Sequence, residues 1–415
     1  MVPLSISADR AFEALRGVGG SEKLSKFCGA DLLLERALLN RYEFSLDRTA
    51  AGTCRLLRAS DGLLAINLPR EEDWQLLSAW VESTQDEEFG AEAAWSKLAR
   101  TISRIKSSRL IERAHDLGLA VSPADKIPKE GSNYCQTLLT ASPDTLRRNR
   151  KPRVVDLSAL WAGPLCSHLL QLLGADVIKV ESTTRPDGAR SGEVAFYELL
   201  NQSKRSVAID FGTPQGVQDL KMLLSSADII IESSRPRALL QLGIDPRKVV
   251  KSRRGVTWIQ LTAHGSGLPE SHWIGYGDDA AAAAGLCAQL HRVTGSYGFV
   301  GDAIADPLTG IYAALSAWRS WASGGGEMIG LSLRQVTAFC IRRELAEHRR
   351  QFEHQLASWQ RLVASLNSHF DTACVLSSEE QTAYLSDRKR SREGRVAAFG
   401  EDTTMILKEA RALFS

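Results

Sequence analysis

From Arg153 the chain alternates short apolar runs with stretches of helical periodicity. The runs RVVDLSAL, ADVIKVES, SVAIDF, ADIIIESS and GVTWIQLTA are rich in Val and Ile and almost continuously apolar, as strands buried on both faces are. Between them PLCSHLLQLLG, VAFYELLNQ, TPQGVQDLKMLLSSA and the Pro246–Ser252 region read as helices. Strand and helix alternating at this spacing predict an α/β fold: a doubly wound parallel sheet with right-handed crossovers, in a Rossmann-like large domain over residues 153–340.

The texture differs on either side of that region. Residues 1–125 hold a hairpin-like unit, CRLLRASDGLLAINL, with a Ser-Asp-Gly turn between two apolar runs. Helical patterns EDWQLLSAWVE and AEAAWSKLARTISRI follow it, and together they predict a second, smaller α+β domain. Residues 126–152 are rich in Pro, Ser, Asn and basic side chains and read as a linker. From residue 341 to 415 the pattern is helical, with Leu345, Phe352, Leu356, Trp359, Val363 and Leu366 forming one apolar stripe along a single long helix. The basic run Arg388, Lys389, Arg390 and Arg392 beyond it reads as a solvated loop.

Composition narrows the function classes. At 415 residues, 44% apolar and 24% charged, the chain can bury more than one ordinary core. Its 51 Lys+Arg against 49 Asp+Glu leave a net charge of +2, spread rather than gathered, so neither nucleic acid nor membrane is expected as a partner. No run approaches a bilayer span, and MVPLSISADRAFEALRG lacks the apolar core of a secretion signal. The seven cysteines are scattered without a CxxC pair, and the eight histidines show no ligand spacing. That usage predicts a cytoplasmic setting, no disulfide framework and no metal site.

Two segments carry candidate chemistry. The first strand runs into LWAGP, where Pro164 suits the first turn of a helix and Gly163 permits a tight turn. Free amides there would face the crevice beyond the strand ends, the place where open α/β sheets bind ligands. Such amides suit a phosphate or a developing oxyanion, although any strand-to-helix turn can use Gly-Pro. Glu181 closes the second strand about where a dinucleotide fold holds its ribose, but AGPLCS is not the GxGxxG fingerprint. In GDAIADPLTGIYAALSAW, Asp306 followed by Pro307 reads by itself first as a helix N-cap and only second as a nucleophile. Helix amides and dipole would favour its charged form, and a carboxylate nucleophile must be ionised.

The stretches VVDLSALWAGPLCSHLLQLLGADVIKVE, NQSKRSVAIDFGTPQGVQDLKMLLSSADIIIESSRPRALLQLGID and GDAIADPLTGIYAAL resemble the class III CoA-transferase family, which includes formyl-CoA transferase and carnitine CoA-transferase. The resemblance implies an acyl-CoA:carboxylate CoA-transferase working through an aspartyl-CoA thioester on Asp306. By the same match, backbone amides at Trp161 and Ala162 would stabilise oxyanions. Ser182, Arg185, Ser233, Ser234, Arg235 and Arg237 would contact CoA. Departures fall among those contacts: Ser182 stands where arginine is common, Ser233-Ser234 where Asn-Phe is common, and Trp161 where the side chain is usually smaller or an amide. No shielding glycine-rich loop is matched, and Gly324–Gly326 read as a helix-ending loop.

Asp278 and Asp279 in GYGDDAAAAAGL could touch substrate or cap a helix. That segment lacks the histidine that racemases of the family use to move an α-proton. TCRLLRASDGLLAINLPREEDWQLLSAWV and GLAVSPADKIP are similar to the family's small domain, here placed ahead of the large one. The resemblance further implies an interlocked homodimer, with acyl-CoA and a carboxylic acid as substrates and no permanently bound cofactor. Two other readings stay open: a non-catalytic CoA or acyl-CoA binder, and an acyl-CoA isomerase or racemase-type enzyme on the same scaffold.

Overall fold

The computed structural model describes residues 2–82, 91–129, 133–145, 150–368, 390 and 394–413. Three antiparallel strands, β1 (Cys54–Arg58), β2 (Leu63–Asn67) and β3 (Ala120–Pro123), form a small sheet in the order β1-β2-β3. The β1-β2 hairpin turns at residues 59–62, at the Ser-Asp-Gly of the sequence. All five residues of β2 are buried because its two faces meet different partners. Leu64 and Ile66 pack with Trp80, Trp95, Leu98 and Leu110, while Leu63 and Ala65 pack with Ala282, Cys287 and Phe299.

The large sheet has seven strands: β4 (Gln136–Thr140), β5 (Arg153–Leu157), β6 (Asp176–Ser182), β7 (Arg205–Ile209), β8 (Ile229–Glu232), β9 (Thr257–Thr262) and β10 (Glu327–Ser332). Their spatial order is β4-β10-β9-β8-β5-β6-β7, and every pairing except β4-β10 is parallel. Apart from the edge strand β4, this is the doubly wound order of a Rossmann-like sheet, with its switch point between β5 and β8. The five strands read from the sequence are present. β4 and β10 are additions, and β4 lies in the stretch read as a linker, where three exposed and two half-buried residues between polar neighbours give little periodic signal.

Helices cover both faces. On one lie Ser5–Gly19, Ala162–Leu172, Ala305–Ala322, Leu333–Glu347 and Arg349–Ser368, around a core that includes Phe12, Leu165, Leu169, Ile304, Leu308, Ile311 and Phe352. On the other, Pro214–Ser226 and Thr403–Ala412 pack over Val155, Ile178, Ile230 and Trp258. The apolar stripe assigned to one long helix is divided between two. Leu345 sits on the 333–347 helix, whereas Phe352, Leu356, Trp359 and Val363 are buried on the 349–368 helix. The break falls at His348, whose ring meets Arg10 at 2.7 Å. The Leu366 side chain lies outside the described residues.

The basic run is corrected in part. Arg390 is buried and forms a forked pair with Glu35, with Nε donating to Oε1 at 2.8 Å. Pairing, not solvation, accommodates that charge. Arg388, Lys389 and Arg392 lie outside the described residues.

Candidate functional site

The site is built at the switch point. β5 ends at Leu157, the chain turns through Leu160 in the left-handed region (φ 68°), and a helix begins at Ala162. Thus Leu160, not Gly163, takes the strained conformation of this turn. Gly163 is required for close approach instead, since a Cβ there would lie 2.1 Å from Ser158 Oγ.

A buried ion network braces the turn from beneath. Lys204 Nζ donates to Asp156 Oδ2 (3.3 Å), Ser167 Oγ (2.7 Å), the Pro164 carbonyl (2.9 Å) and Asn201 Oδ1 (3.1 Å). Lys179 Nζ donates to Asp187 Oδ2 (2.8 Å) and the Ser158 carbonyl (3.1 Å), while Asp187 Oδ1 accepts the Leu160 amide at 3.0 Å. Burial pushes the Asp156 and Asp187 carboxyls upward, but the lysines together with hydrogen bonds from Ser158, Ser167 and the Leu160 and Ala189 amides hold both below the ordinary aspartate range. Glu181 is fully engaged too, by Arg190 (2.9 and 2.6 Å) and the Asp187 amide (2.9 Å).

The amide of Ala162 emerges from this braced turn toward the carboxylate of Asp306 and favours its charged form. Asp306 is the second residue of the helix Ala305–Ala322, inside its first turn and not at its N-cap, and its own N–H bonds the Ala303 carbonyl at 2.8 Å. A second amide reaches the same carboxylate from Gly277, the first residue of the helix Gly277–Ala283. Two helix N-termini therefore converge on one half-buried acid. Gly277 has to be glycine, because a Cβ would come within 2.2 Å of Asp306 Oδ2.

Further acids crowd the same place. Asp302 and Asp279 are completely buried and Asp278 nearly so. Asp278 accepts the Ala303 amide at 2.8 Å; Asp279 accepts the Tyr276 amide (2.9 Å) and Asn67 Nδ2 (3.1 Å). The second oxygen of Asp279 and Nε2 of His264 lie 3.9 Å apart, each without a hydrogen bond. Burial takes the His264 imidazole down to about 3, so it is neutral. Among the described residues no three His, Cys, Asp or Glu side chains form a metal-holding set.

Arg36 faces the acids. Its guanidinium forms a fork on Asp302, Nε to Oδ2 at 2.8 Å and Nη2 to Oδ1 at 2.5 Å, and lies over the Trp161 ring at 4.7 Å. The Trp161 ring is buried against Phe196 edge-on at 4.9 Å. Burial and Asp302 push Asp306 up to about 7, against the pull of Arg36 and the two amides. The carboxylate at a helix start is therefore not held fully ionised at neutral pH, as the helix dipole alone implies, because desolvation in a cluster of like charges outweighs the dipole. Burial likewise takes Asp278 to about 8, with Asp302 adding to it, and Asp279 to about 7.

A basic group lies at the neighbouring strand ends. Burial lowers the Arg235 guanidinium, and Arg237, Arg70 and Arg185 lower it further through mutual repulsion. Arg185 and Arg237 are exposed, and Ser234 is partly buried. Ser233 Oγ accepts the Ala159 amide at 3.2 Å, and Ser182 Oγ is 3.0 Å from Thr184 Oγ1. Arg70 comes from the small sheet's side, tied to Asp73 and the Gly118 carbonyl. Tyr276 is within the field of both Arg70 and Arg235 and directly precedes Gly277, so it joins the basic group to Asp306.

The structure thus brings Ala162, Asp278, Asp279 and Asp306 together, with Trp161 packed beneath Arg36; of the six serines and arginines expected around CoA, Ser233 holds the same turn through the Ala159 amide. Arg36, Asp302, Asn67 and Arg70 were not legible as site residues. Asp302 shares the GDAIADP segment with Asp306 and had that much signal. Arg36 stands 266 residues from its partner and had none.

Known proteins resemble the chain over this region. It is 30% identical over 210 residues to the succinate–glutarate CoA-transferase of Agrobacterium fabrum, covering 45% of this chain and 52% of that protein. It is 29% identical over 245 residues to the succinyl-CoA:glutarate CoA-transferase of Mus musculus, covering 55% and 56%. The chain spans about half the length of these curated relatives. Among solved structures, a CAIB/BAIF family protein from Brucella suis matches with a TM-score of 0.49 at 17% identity, over 66% of this chain and all of that one. With residues 151–373, more than half of its length, matching the model of CoA-transferase family III, the chain belongs to that family.

Proposed function

We propose that the protein transfers coenzyme A between carboxylic acids through covalent adducts on Asp306. One observation carries the reading: a half-buried carboxylate faces the amides of two helix N-termini, with Gly277 close against it, near a cluster of arginines at the strand ends.

The chemistry balances without a cofactor. The Asp306 carboxylate attacks the carbonyl carbon of an acyl-CoA, the C–S bond breaks, and CoA leaves as thiolate. The thiolate then attacks the Asp306 carbonyl of the resulting anhydride, releasing the donor acid and leaving an aspartyl-CoA thioester. An acceptor carboxylate attacks that thioester and frees the thiolate again. In the last step the thiolate attacks the acceptor's carbonyl, yielding the new acyl-CoA and free Asp306. No net proton moves. Each step passes through an oxyanion, and a donor such as the Ala162 or Gly277 amide contributes about 3 kcal/mol when aimed at one. A neutral Asp306 is no nucleophile, so its position near 7 makes exchange fall as pH drops through that value.

Arg235, Arg237, Arg185 and Arg70 suit the phosphates of CoA, since guanidinium forks match phosphate oxygens. Ser182, Ser233 and Ser234 are proposed as further contacts for CoA. Acyl-CoA and a free carboxylic acid are then the substrates, and the interlocked homodimer belongs to the same proposal.

The test is CoA exchange followed by mass detection over a panel of acyl-CoA donors. Asp306→Asn keeps the shape and removes the nucleophile, and exchange should fall at least about 10³-fold with the fold intact. Hydroxylamine should trap an Asp306 adduct in the wild type alone. Undiminished exchange in Asp306→Asn overturns the mechanism; binding of acyl-CoA without exchange in the wild type would favour a non-catalytic binder.

A further inference from the structure

We propose that Arg36 is the positioning residue of this site: clamped by Asp302 and laid over Trp161, its guanidinium is the counter-charge that keeps Asp306 available as a free carboxylate. The inference rests on the reading of Asp306 as nucleophile and extends it to a residue outside the segment that matches the family.

Four acids meet here. Asp278 and Asp279 come from the 277–283 helix, Asp302 from the turn before the 305–322 helix, and Asp306 from that helix. The 162–172 helix packed against them offers only the Ala162 amide, and Gly277 offers the other. Among the described residues the cation facing this group is Arg36, in the field of Asp302, Asp278 and Asp306 together. Like charges so close cannot all ionise without one.

Its placement is over-determined. The forked pair with Asp302 fixes the guanidinium plane. The ring of Trp161 supports one face, and Tyr42 lies within 5.9 Å. Glu35, the preceding residue on the short helix Glu35–Asn40, is held by Arg390. An arginine fastened from three sides presents its charge without reorganising when negative charge develops on the neighbouring carboxylate, which is what preorganised electrostatics require.

The experiment titrates Asp306 directly. Protein labelled with [¹³C]aspartate is followed by carboxyl NMR, with Asp306→Asn identifying the resonance, alongside the pH profile of CoA exchange. In Arg36→Gln the Asp306 midpoint should rise by about 1–3 pH units, carrying the acid limb of the exchange profile with it. Arg36→Lys should restore most of the shift, because charge is kept while the fork is lost. Arg36→Gln leaves Asp302 buried and unpaired, so the double variant Arg36→Gln/Asp302→Asn provides a second measurement; its midpoint should also rise, by less. A midpoint unmoved in both variants overturns the proposal. A purely structural arginine would lower exchange equally at every pH and leave the midpoint alone. If the wild type exchanges no CoA, the transferase reading fails, and the NMR titration still decides the role of Arg36.

Discussion

The Ala162 amide stands between two buried charge clusters that are composed in opposite ways. Beneath the turn, Asp156 and Asp187 are matched by Lys179 and Lys204, and hydroxyls and carbonyls take up further hydrogen bonds. Above it, Asp278, Asp302 and Asp306 share Arg36, with Asp279 alongside them. Burial acts on the acids of both clusters, with Asp306 alone half-buried, yet the paired acids sit below their ordinary range while Asp278, Asp279 and Asp306 sit well above it. Burial is common to the two, so counter-charge makes the difference. A balanced cluster holds a loop in place; an acid-rich one stores groups poised to change charge near neutrality, as reactive sites do.

Breaking the balanced cluster should have the largest effect. Lys204→Met strands Asp156 as an uncompensated buried charge, and stability to urea should fall by about 3–5 kcal/mol. A fall below about 1 kcal/mol would mean that water already reaches the network. In the acid-rich cluster, Gly277→Ala pushes a methyl group onto Asp306 Oδ2 and the Ala303 carbonyl, and should cut CoA exchange about 10²-fold while also lowering urea stability. Retained activity would show that Asp306 does not need its second amide.

The pH dependence separates the clusters by sign. Asp278, Asp279 and Asp306 hold protons in the folded state up to about 8, 7 and 7, whereas the unfolded chain loses them near 3.8. The folded state thus binds more protons between about pH 4 and 8, and stability falls as pH rises through that window. Asp156 and Asp187 act oppositely: their contribution is present above the ordinary aspartate range and is lost as pH falls below it. Asp278→Asn should flatten the decline and leave the variant more stable than the wild type at pH 8, by up to about 5 kcal/mol. Urea midpoints that rise from pH 5 to 8 would contradict the raised acids. The smallest change is Ser233→Ala, which removes one acceptor from the Ala159 amide at an exposed turn and should cost less than about 1 kcal/mol by the same urea measurement.

Much of the fold was legible because parallel strands buried on both faces must be apolar throughout. β5 to β9 announced themselves in this way, and Ser-Asp-Gly announced the small hairpin. The half-exposed edge strand β4 and the division of the C-terminal stripe at His348 did not, since neither changes the local periodicity. Asp306 and the Ala162 amide were legible through the motifs that hold them.

What the sequence determined by itself is therefore local: which segments are strands, which turn opens onto the switch point, and which acid begins the helix facing it. Tertiary structure decided the chemistry of that acid. Gly277 and Arg36 reach Asp306 from helices 29 and 270 residues away along the chain, and their approach, with Asp302 pressed alongside, moves its proton affinity to neutrality. Charge interactions depend on distance in space and on exclusion of water, and neither quantity is written in residue order.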